Sequence, residues 1–156
     1  KVTKLQAGGA ALNAIPDRAE LAFDLRSQEN SQMDELLKKT AQAIEAGAAT
    51  VGAKATVTVK GGVPAAEYDA WLTDVAKQAI TAVLGEQGLL APIVTPGGED
   101  FHFFVKHKPT IKAAYVGLGV DLTPGLHHPQ MTFNQAGLAD GVNILLTMVT
   151  KLLGDR

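Results

Sequence analysis

The chain has 156 residues, of which 46% are apolar and 19% charged, a composition typical of a soluble globular protein with one domain or two half-sized ones. Its net charge of -2 is spread along the sequence without a basic block, which argues against nucleic acid and anionic membranes as partners. The absence of cysteine excludes disulfides and thiolate chemistry, so a metal ion would have to be held by His, Asp and Glu.

The first part of the sequence predicts two β-strands. Residues 2–8 are compatible with a strand, and two glycines then interrupt the run before a turn-rich segment around Asn13. From Ala19 to Arg26 apolar and polar side chains alternate with period two. This alternation predicts a second strand with one apolar face and one solvent face.

A helix and a third strand are predicted next. Ser31, followed three residues later by Asp34, predicts a helix N-terminus. Apolar residues then recur at helical spacing and would form the packed face of this helix: Met33, Leu36, Leu37, Ile44, Ala48 and Val51. Residues 55–60 alternate as in a half-exposed strand, and the glycines after them end it.

We place a domain boundary between residues 63 and 64, after which helices and strands alternate. A helix is predicted by the apolar face Trp71, Leu72, Val75, Ala79, Ile80 and Val83. Ile93 and Val94 predict a short strand, and the apolar run 111–118 predicts a buried one. A final helix is predicted by the stripe Leu138, Val142, Leu145, Val149 and Leu152.

These elements predict two architectures. Residues 1–63 would form an antiparallel β-β-α-β unit, an α+β sandwich whose helix covers one face of the sheet. Residues 64–156 have the alternation of an α/β layer, in which loops at strand ends carry the site. Both would leave strand edges unpaired, so we expect further chain or association.

No apolar run approaches the roughly 20 residues of a membrane span, and the lack of cysteine favours a cytoplasmic location.

Two adjacent histidines lie in a stiff loop between a glycine and a proline, in the sequence Gly125-Leu126-His127-His128-Pro129. An imidazole on such a loop can act as a metal ligand or a proton shuttle, or it can simply hydrogen-bond the backbone. Adjacent side chains diverge, so we expect one histidine to be the ligand and the other a neighbour.

An acidic pair and a third histidine follow the run Pro96-Gly97-Gly98. If a helix starts there, Glu99 and His102 share one face at i, i+3, a spacing that metal sites use and that is also common on solvated helices. Asp100 could cap the helix or orient a histidine, and His107, between two lysines, is interpreted as a surface residue. The run lacks the lysine and hydroxyl of a phosphate-binding loop, and no serine lies in a nucleophile elbow.

Asn13 and Arg26 form a candidate site for a carboxylate. The planar fork of arginine binds carboxylates at two points, and an asparagine amide can add a donor. The alternative is that Arg26 only pairs with Asp24 or Glu20, which lie on the same face of the predicted strand.

Ordered motifs along the sequence resemble one enzyme family over essentially the whole chain. The segment GGAALNAIPDRAELAFDLRS is similar to the dimerisation domain of metal-dependent aminoacylases, hippurate hydrolases and auxin-conjugate amidohydrolases. The segment TPGGEDFHFF, the strand ending in Gly117-Leu118-Gly119, and LHHPQMTFN before a long apolar helix are similar to the C-terminal catalytic portion of that family.

The resemblance implies a fold and an activity. Residues 1–63 would be part of an α+β lid that forms a homodimer, and residues 64–156 the C-terminal portion of a zinc-exopeptidase-like α/β catalytic domain. The implied reaction is hydrolysis of the amide bond of N-acyl amino acids or small peptide-like substrates. The implied cofactor is a pair of divalent ions, zinc or else manganese or cobalt.

Carried over residue by residue, the resemblance assigns His127, rather than His128, as a metal ligand. It assigns Asn13 and Arg26 to the substrate carboxylate, and it implies a supporting role for Asp100 in the acidic pair. The family's other metal ligands and its general-base glutamate would lie upstream of this sequence, as would the first strand and helix of the lid.

Because a catalytic zinc needs about three protein ligands, this chain alone is expected to hold no metal tightly and to be inactive. The alternative hypothesis is a non-catalytic dimerising or ligand-binding module that has kept the architecture of an amidohydrolase ancestor.

Overall fold

The computed structural model describes residues 1–95 and 97–154, so Pro96 of the glycine-rich motif lies outside the described residues. The chain divides into two compact units. Residues 1–66 and 97–102 form the first, and residues 67–95 and 103–154 form the second. The sequence-based division into domains at residues 63 and 64 stays a prediction.

The first unit begins with an antiparallel hairpin of strands β1 (Val2–Ala7) and β2 (Ala19–Phe23). Leu5 pairs with Leu21 and Gln6 with Glu20, and the register is irregular between Val2 and Lys4. Both predicted strands are therefore present, although β2 stops three residues before Arg26. The apolar face of β2 is not covered among the described residues, since Leu21 is 48% and Phe23 37% exposed.

Helix α1 (Asn30–Thr50) confirms the predicted helix but not its predicted start. Glu29 occupies the N-cap position without a side-chain hydrogen bond, and Ser31 lies inside the helix. The Asn30 side chain instead binds both backbone groups of Ala65, accepting from its N–H at 3.0 Å and donating to its carbonyl at 3.3 Å. This pair of bonds fixes the chain after the helix to the first turn of α1.

The predicted α+β sandwich does not form within the described residues. No Cα atom of α1 lies within 8 Å of a Cα atom of β1 or β2. Residues 53–69 contain no hydrogen-bonded strand, so the third strand expected at 55–60 is absent from this part of the structure. Alternating apolar and polar side chains make a segment compatible with a sheet, but a strand also requires a neighbouring strand to complete its backbone hydrogen bonds.

The second unit is built around helices α2 (Ala70–Leu84) and α4 (Gly137–Gly154), which pack against each other. A short helix, α3 (Phe103–His107), lies between them in sequence, and 3-10 turns occur at Glu86–Gly88 in the second unit and at Asp100–His102 in the first. The best-buried apolar residues of the second unit are small or aliphatic: Ala76, Ala79, Ala113 and Ile144.

The N-terminus of α2 is joined to the apolar run 111–118. Asp69 caps α2 by accepting a hydrogen bond from the backbone N–H of Leu72 at 2.8 Å, and its own N–H donates to the carbonyl of Ala113 at 2.8 Å. Lys112 lies 3.6 Å from the Asp69 carboxylate, and its ammonium lies 4.6 Å from the ring centre of Trp71. Trp71, predicted to be part of the apolar face of α2, is thus exposed beneath a cation.

The run 111–118 was expected to be a buried strand, and it is neither hydrogen-bonded as a strand nor mostly buried. Burial alternates along residues 115–120, and two of the half-buried side chains, Leu118 and Val120, lie close to glycines of α4. A methyl group at Gly141 would lie 2.9 Å from Leu118 Cδ2, so the absence of a side chain there allows the close approach. The short strand expected at Ile93 and Val94 is also absent from the described residues, and both side chains are exposed.

The final helix is confirmed, but the side it buries differs from the prediction. Leu138, Val142, Leu145 and Val149 are each about half exposed or more, whereas Ile144 is 2% exposed. By length and composition α4 could also cross a membrane, a test that the core helices of soluble proteins pass as well.

Two adjacent residues of α4, Ile144 and Leu145, provide a test of which side of the helix is packed in the core. Replacing Ile144 with alanine should lower the free energy of unfolding by about 2–3 kcal/mol, because a buried side chain is removed and a cavity is left. Leu145→Ala should change it by less than about 0.5 kcal/mol, because that side chain is exposed. Urea unfolding of the 156-residue chain measures both. Equal losses would contradict the packing described.

Candidate functional site

The two adjacent histidines lie in a loop of the second unit whose ends are tied together by backbone hydrogen bonds. Thr123 and Thr132 exchange two bonds, N–H of Thr123 to the carbonyl of Thr132 at 3.0 Å and the reverse at 2.9 Å. The N–H of Asn134 also donates to the carbonyl of Val120 at 2.8 Å. These three bonds pair six backbone groups and fix the loop to the chain before α4.

The Asn134 side chain joins this loop to α4. Its Oδ1 accepts a hydrogen bond from the N–H of Ala136 at 3.1 Å, just before the helix begins at Gly137. Gly137 itself lies close to Val120, because a methyl group placed on it would lie 3.0 Å from Val120 Cγ1. The loop is therefore positioned by the packed end of a long helix.

The imidazoles of His127 and His128 have different surroundings. Nδ1 of His128 accepts a hydrogen bond from the N–H of Gln130 at 3.1 Å, so in the neutral imidazole the proton lies on Nε2. The His128 ring is therefore used in a contact within the loop. Both histidines are exposed, and the ring of His127 makes no hydrogen bond or ion pair with the described residues. Of the two rings, His127 is the one not used to hold the loop together.

His127 has a backbone conformation that few residues adopt. Its φ is +63°, in the left-handed region, and Asp121 in the same loop has φ +50°. For a residue with a β-carbon this region costs on the order of 1–2 kcal/mol, and such strain concentrates at functional sites. The hydrogen bonds at the loop ends hold His127 in this conformation.

The acidic pair lies in the first unit and does not form the expected helical face. Glu99 precedes the 3-10 turn Asp100–His102, and its carbonyl accepts from the N–H of His102 at 3.2 Å. Glu99 and Asp100 are exposed, whereas His102 is only 7% exposed, with its ring edge-on to Phe101 at 5.8 Å. His107 is exposed, as predicted, and its ring stacks on Phe103.

Arg26 pairs with Asp24, the alternative that the sequence left open. Its Nε lies 3.1 Å and 3.2 Å from the two carboxylate oxygens, and its Nη2 lies 3.0 Å from Asp24 Oδ2. Hydrogen bonding from Arg26, with a smaller contribution from Lys1, holds the pKa of Asp24 below its ordinary value, and the same contact raises the pKa of Arg26. A carboxylate is therefore already bound at the guanidinium.

Asn13 lies in the connection between β1 and β2, in a turn closed by the N–H of Ala14 and the carbonyl of Ala11 at 3.4 Å. A hollow of about 490 Å³ opens beside this connection, and its lining includes Gly8, Ile15, Pro16 and Arg18 but not Asn13. Arg26 follows the opposite end of β2. No hydrogen bond joins Asn13 to Arg26 among the described residues, so the structure does not show the two side chains converging on one carboxylate.

The described residues do not supply a complete metal site. No group of three or more His, Asp or Glu side chains is gathered in residues 1–95 and 97–154. His127, which is exposed and has no side-chain partner among the described residues, fits the role of one imidazole ligand, but a catalytic zinc needs about three protein ligands.

Several residues that build the site were not found from the sequence. Thr123, Thr132 and Asn134 determine the loop, yet single threonines and asparagines occur throughout the chain and carry no distinctive pattern. The left-handed φ of His127 could not be foreseen either, because histidine does not mark such positions as glycine does.

Comparison with protein families identifies the class of this protein. Residues 5–151 match the model of peptidase family M20/M25/M40, which covers most of the chain. The chain belongs to this family, in agreement with the resemblance seen in its motifs.

Individual relatives support the assignment. The chain is 30% identical over 141 residues to a probable hydrolase of Synechocystis sp., covering 86% of this chain and 35% of that protein. It is 31% identical over 140 residues to the N-acetylcysteine deacetylase of Bacillus subtilis, covering 88% of this chain and 34% of that enzyme. The chain thus spans about a third of the length of these relatives.

A solved structure also matches. It is the YxeP protein of Bacillus subtilis, a dinuclear metal binding peptidase of the M20 family. The TM-score is 0.86 at 26% sequence identity, and the match covers 100% of this chain and 42% of that one. The mixed α/β structure described here is therefore the fold of part of an M20 peptidase.

The pairing of Asp24 with Arg26 can be tested by titration. In carboxyl-carbon NMR of the 156-residue chain, Asp24 should titrate below the value of about 3.9 for an unpaired aspartate, and Arg26→Ala should move the midpoint upwards. Because the folded pKa is depressed, the pair stabilises the fold above about pH 4 and this contribution disappears as the pH falls through the folded pKa. An unchanged midpoint in Arg26→Ala would contradict the pairing.

Proposed function

We propose that this chain is part of a metal-dependent hydrolase that cleaves the amide bond of N-acyl amino acids or small peptide-like substrates. Membership of the M20 family supports a hydrolase, and the names of relatives support the substrate class, since they include an N-acetylcysteine deacetylase and an N-acetyldiaminopimelate deacetylase. The observation in this chain that carries the proposal is the exposed ring of His127, which has no partner in the part of the chain that the structure describes and lies on a loop whose ends are hydrogen-bonded together.

His127 would contribute one ligand to a divalent metal site that the rest of the protein completes. When bound, such ions polarise a carbonyl and lower the pKa of a water molecule, which is the chemistry that amide hydrolysis needs. A pair of ions is supported by the dinuclear metal binding of the YxeP protein, and zinc, manganese or cobalt are the candidates. The general base is expected outside this chain, which by itself would be inactive.

Arg26 and Asn13 would bind the substrate. The Arg26 side chain is 56% exposed, so it can meet a substrate carboxylate at the solvent surface while it remains in contact with Asp24. Asn13 is exposed in the connection between β1 and β2 and has no hydrogen-bond partner among the described residues. Asp100, exposed at the start of its 3-10 turn, would have a supporting role.

The remaining parts of the proposal concern the whole protein. We propose that residues 1–63 belong to a lid that forms a homodimer and residues 64–156 to the catalytic domain. The exposed edges of the β1–β2 hairpin are compatible with association, because an unpaired edge offers free hydrogen-bonding groups. A cytoplasmic location without nucleic-acid or membrane partners is proposed from composition and charge alone.

The two histidines provide a matched test of the metal ligand. In the full-length protein, His127→Asn should remove bound metal and lower kcat/KM for an N-acetyl amino acid by at least about 100-fold, because one ligand is lost. Asparagine tolerates the left-handed φ of this position, so backbone strain is not a cause of the loss. Metal content by elemental analysis and steady-state kinetics measure the effect.

His128→Asn serves as the control for the same loop. The asparagine Oδ1 can accept the N–H of the residue two positions on, as His128 Nδ1 does, so metal content should persist and kcat/KM should change by less than about threefold. Equal effects of the two substitutions would remove His127 from the metal site. Normal metal content without turnover in the unmodified protein would favour the non-catalytic module.

Arg26→Ala tests recognition of the substrate carboxylate. In the full-length protein it should raise KM for N-acetyl amino acids by about tenfold or more with little change in kcat, because binding in the ground state and the transition state is lost equally. The corresponding α-carboxamide should be affected far less. An unchanged KM for the carboxylate substrate would remove Arg26 from the site.

A further inference from the structure

The contact between Asp24 and Arg26 has a defined geometry. Arg26 approaches with two nitrogens, Nε at 3.1 Å and 3.2 Å from the two carboxylate oxygens and Nη2 at 3.0 Å from Oδ2. A two-point contact of this kind fixes the plane of the guanidinium as well as its position, which a single hydrogen bond does not do.

Asp24 is the better anchored of the two residues. Its backbone N–H donates to the carbonyl of Lys1 at 3.0 Å, which extends the pairing beyond the end of the hairpin. The Lys1 ammonium lies 3.4 Å from Asp24 Oδ2. The Asp24 side chain is 29% exposed and that of Arg26 56%, so the aspartate is the fixed partner and the long arginine side chain is the one that it orients.

We propose that Asp24 is a positioning residue for substrate recognition, which holds the edge of Arg26 that carries Nε and Nη2, so that the guanidinium directs its Nη1 side to the substrate carboxylate. This inference rests on the proposed function, in which Arg26 binds that carboxylate. A guanidinium has five N–H donors arranged around a plane, so a carboxylate on the Nε edge leaves a different edge directed away from it. Holding this side chain in one rotamer before binding lowers the entropy lost when the substrate binds.

A second ion pair on the same hairpin provides a control. Lys4 Nζ lies 2.8 Å from Glu20 Oε2, and the two side chains are 45% and 52% exposed. A lysine makes this contact as a point charge without fixing a plane, and neither residue contacts Arg26 among the described interactions. If ion pairs on the hairpin acted only through general stability or charge, removing either one would have similar effects.

The experiment uses the full-length protein and two substrates, an N-acetyl amino acid and its α-carboxamide. Asp24→Asn should raise KM for the carboxylate substrate by about five- to tenfold and leave kcat within about twofold, because the guanidinium is no longer held before binding. KM for the carboxamide should not change, because that substrate does not need the oriented guanidinium. Glu20→Gln should leave KM for both substrates unchanged.

Two further variants test whether Asp24 acts through Arg26. When Arg26 is already alanine, adding Asp24→Asn should raise KM for the carboxylate no further, since the residue to be positioned is gone. Asp24→Glu restores the charge and both oxygens on a longer side chain, and it should recover part of the loss. A folding defect would instead lower turnover of both substrates alike, and thermal unfolding of each variant checks for it.

The outcomes separate this inference from the function on which it rests. If Arg26→Ala raises KM for the carboxylate but Asp24→Asn leaves it unchanged, Arg26 binds substrate and the positioning role is wrong. If Asp24→Asn lowers KM, Asp24 competes with the substrate for the guanidinium, and the inference is overturned. If Arg26→Ala has no effect on KM, the proposed carboxylate site and this inference fail together.

Discussion

A β-strand is stable only where a neighbouring strand completes its backbone hydrogen bonds, and this requirement determines most of what the described residues form. β1 and β2 satisfy it for each other as a hairpin. Residues 55–60 and 111–118 have strand-like sequences and no strand beside them among the described residues, so neither forms a ladder. The helices complete their backbone hydrogen bonds internally, so they need no neighbouring strand.

The loop that carries His127 meets the same requirement in a different way. It joins no sheet among the described residues, but Thr123 and Thr132 pair their backbones across its base, and the N–H of Asn134 adds a third hydrogen bond to Val120. These bonds make a short piece of ladder that needs no further strand. The exposed imidazole is therefore held in position by interactions contained entirely within the second unit, close to the end of α4.

The sequence predicted the helices and strands that have a regular apolar pattern better than it predicted which of their side chains are buried and what those side chains contact. α1, α2 and α4 follow from their apolar stripes, and β1 and β2 from alternation. The stripe of α4 nevertheless identified Leu145 rather than Ile144 as the packed residue, because a helix as apolar as α4 has more than one face that could be buried. Ser31 resembled a cap by spacing, but Asn30 is used for a long-range contact with Ala65 that no local pattern encodes.

The candidate site shows the same division between local and long-range information. Motifs identified His127 and Arg26 as candidate site residues, because a motif is a set of residue types at fixed spacings that can be recognised in the sequence alone. They could not show that the His128 ring is hydrogen-bonded to Gln130 or that Arg26 is bound by Asp24, because both contacts depend on side-chain orientation.

The contact between Asp24 and Arg26 changes how Arg26 is interpreted. Simple pairing with Asp24 had been the alternative to substrate binding, but an arginine has enough donors to keep one carboxylate on its Nε edge while it meets another, so the two interpretations are compatible.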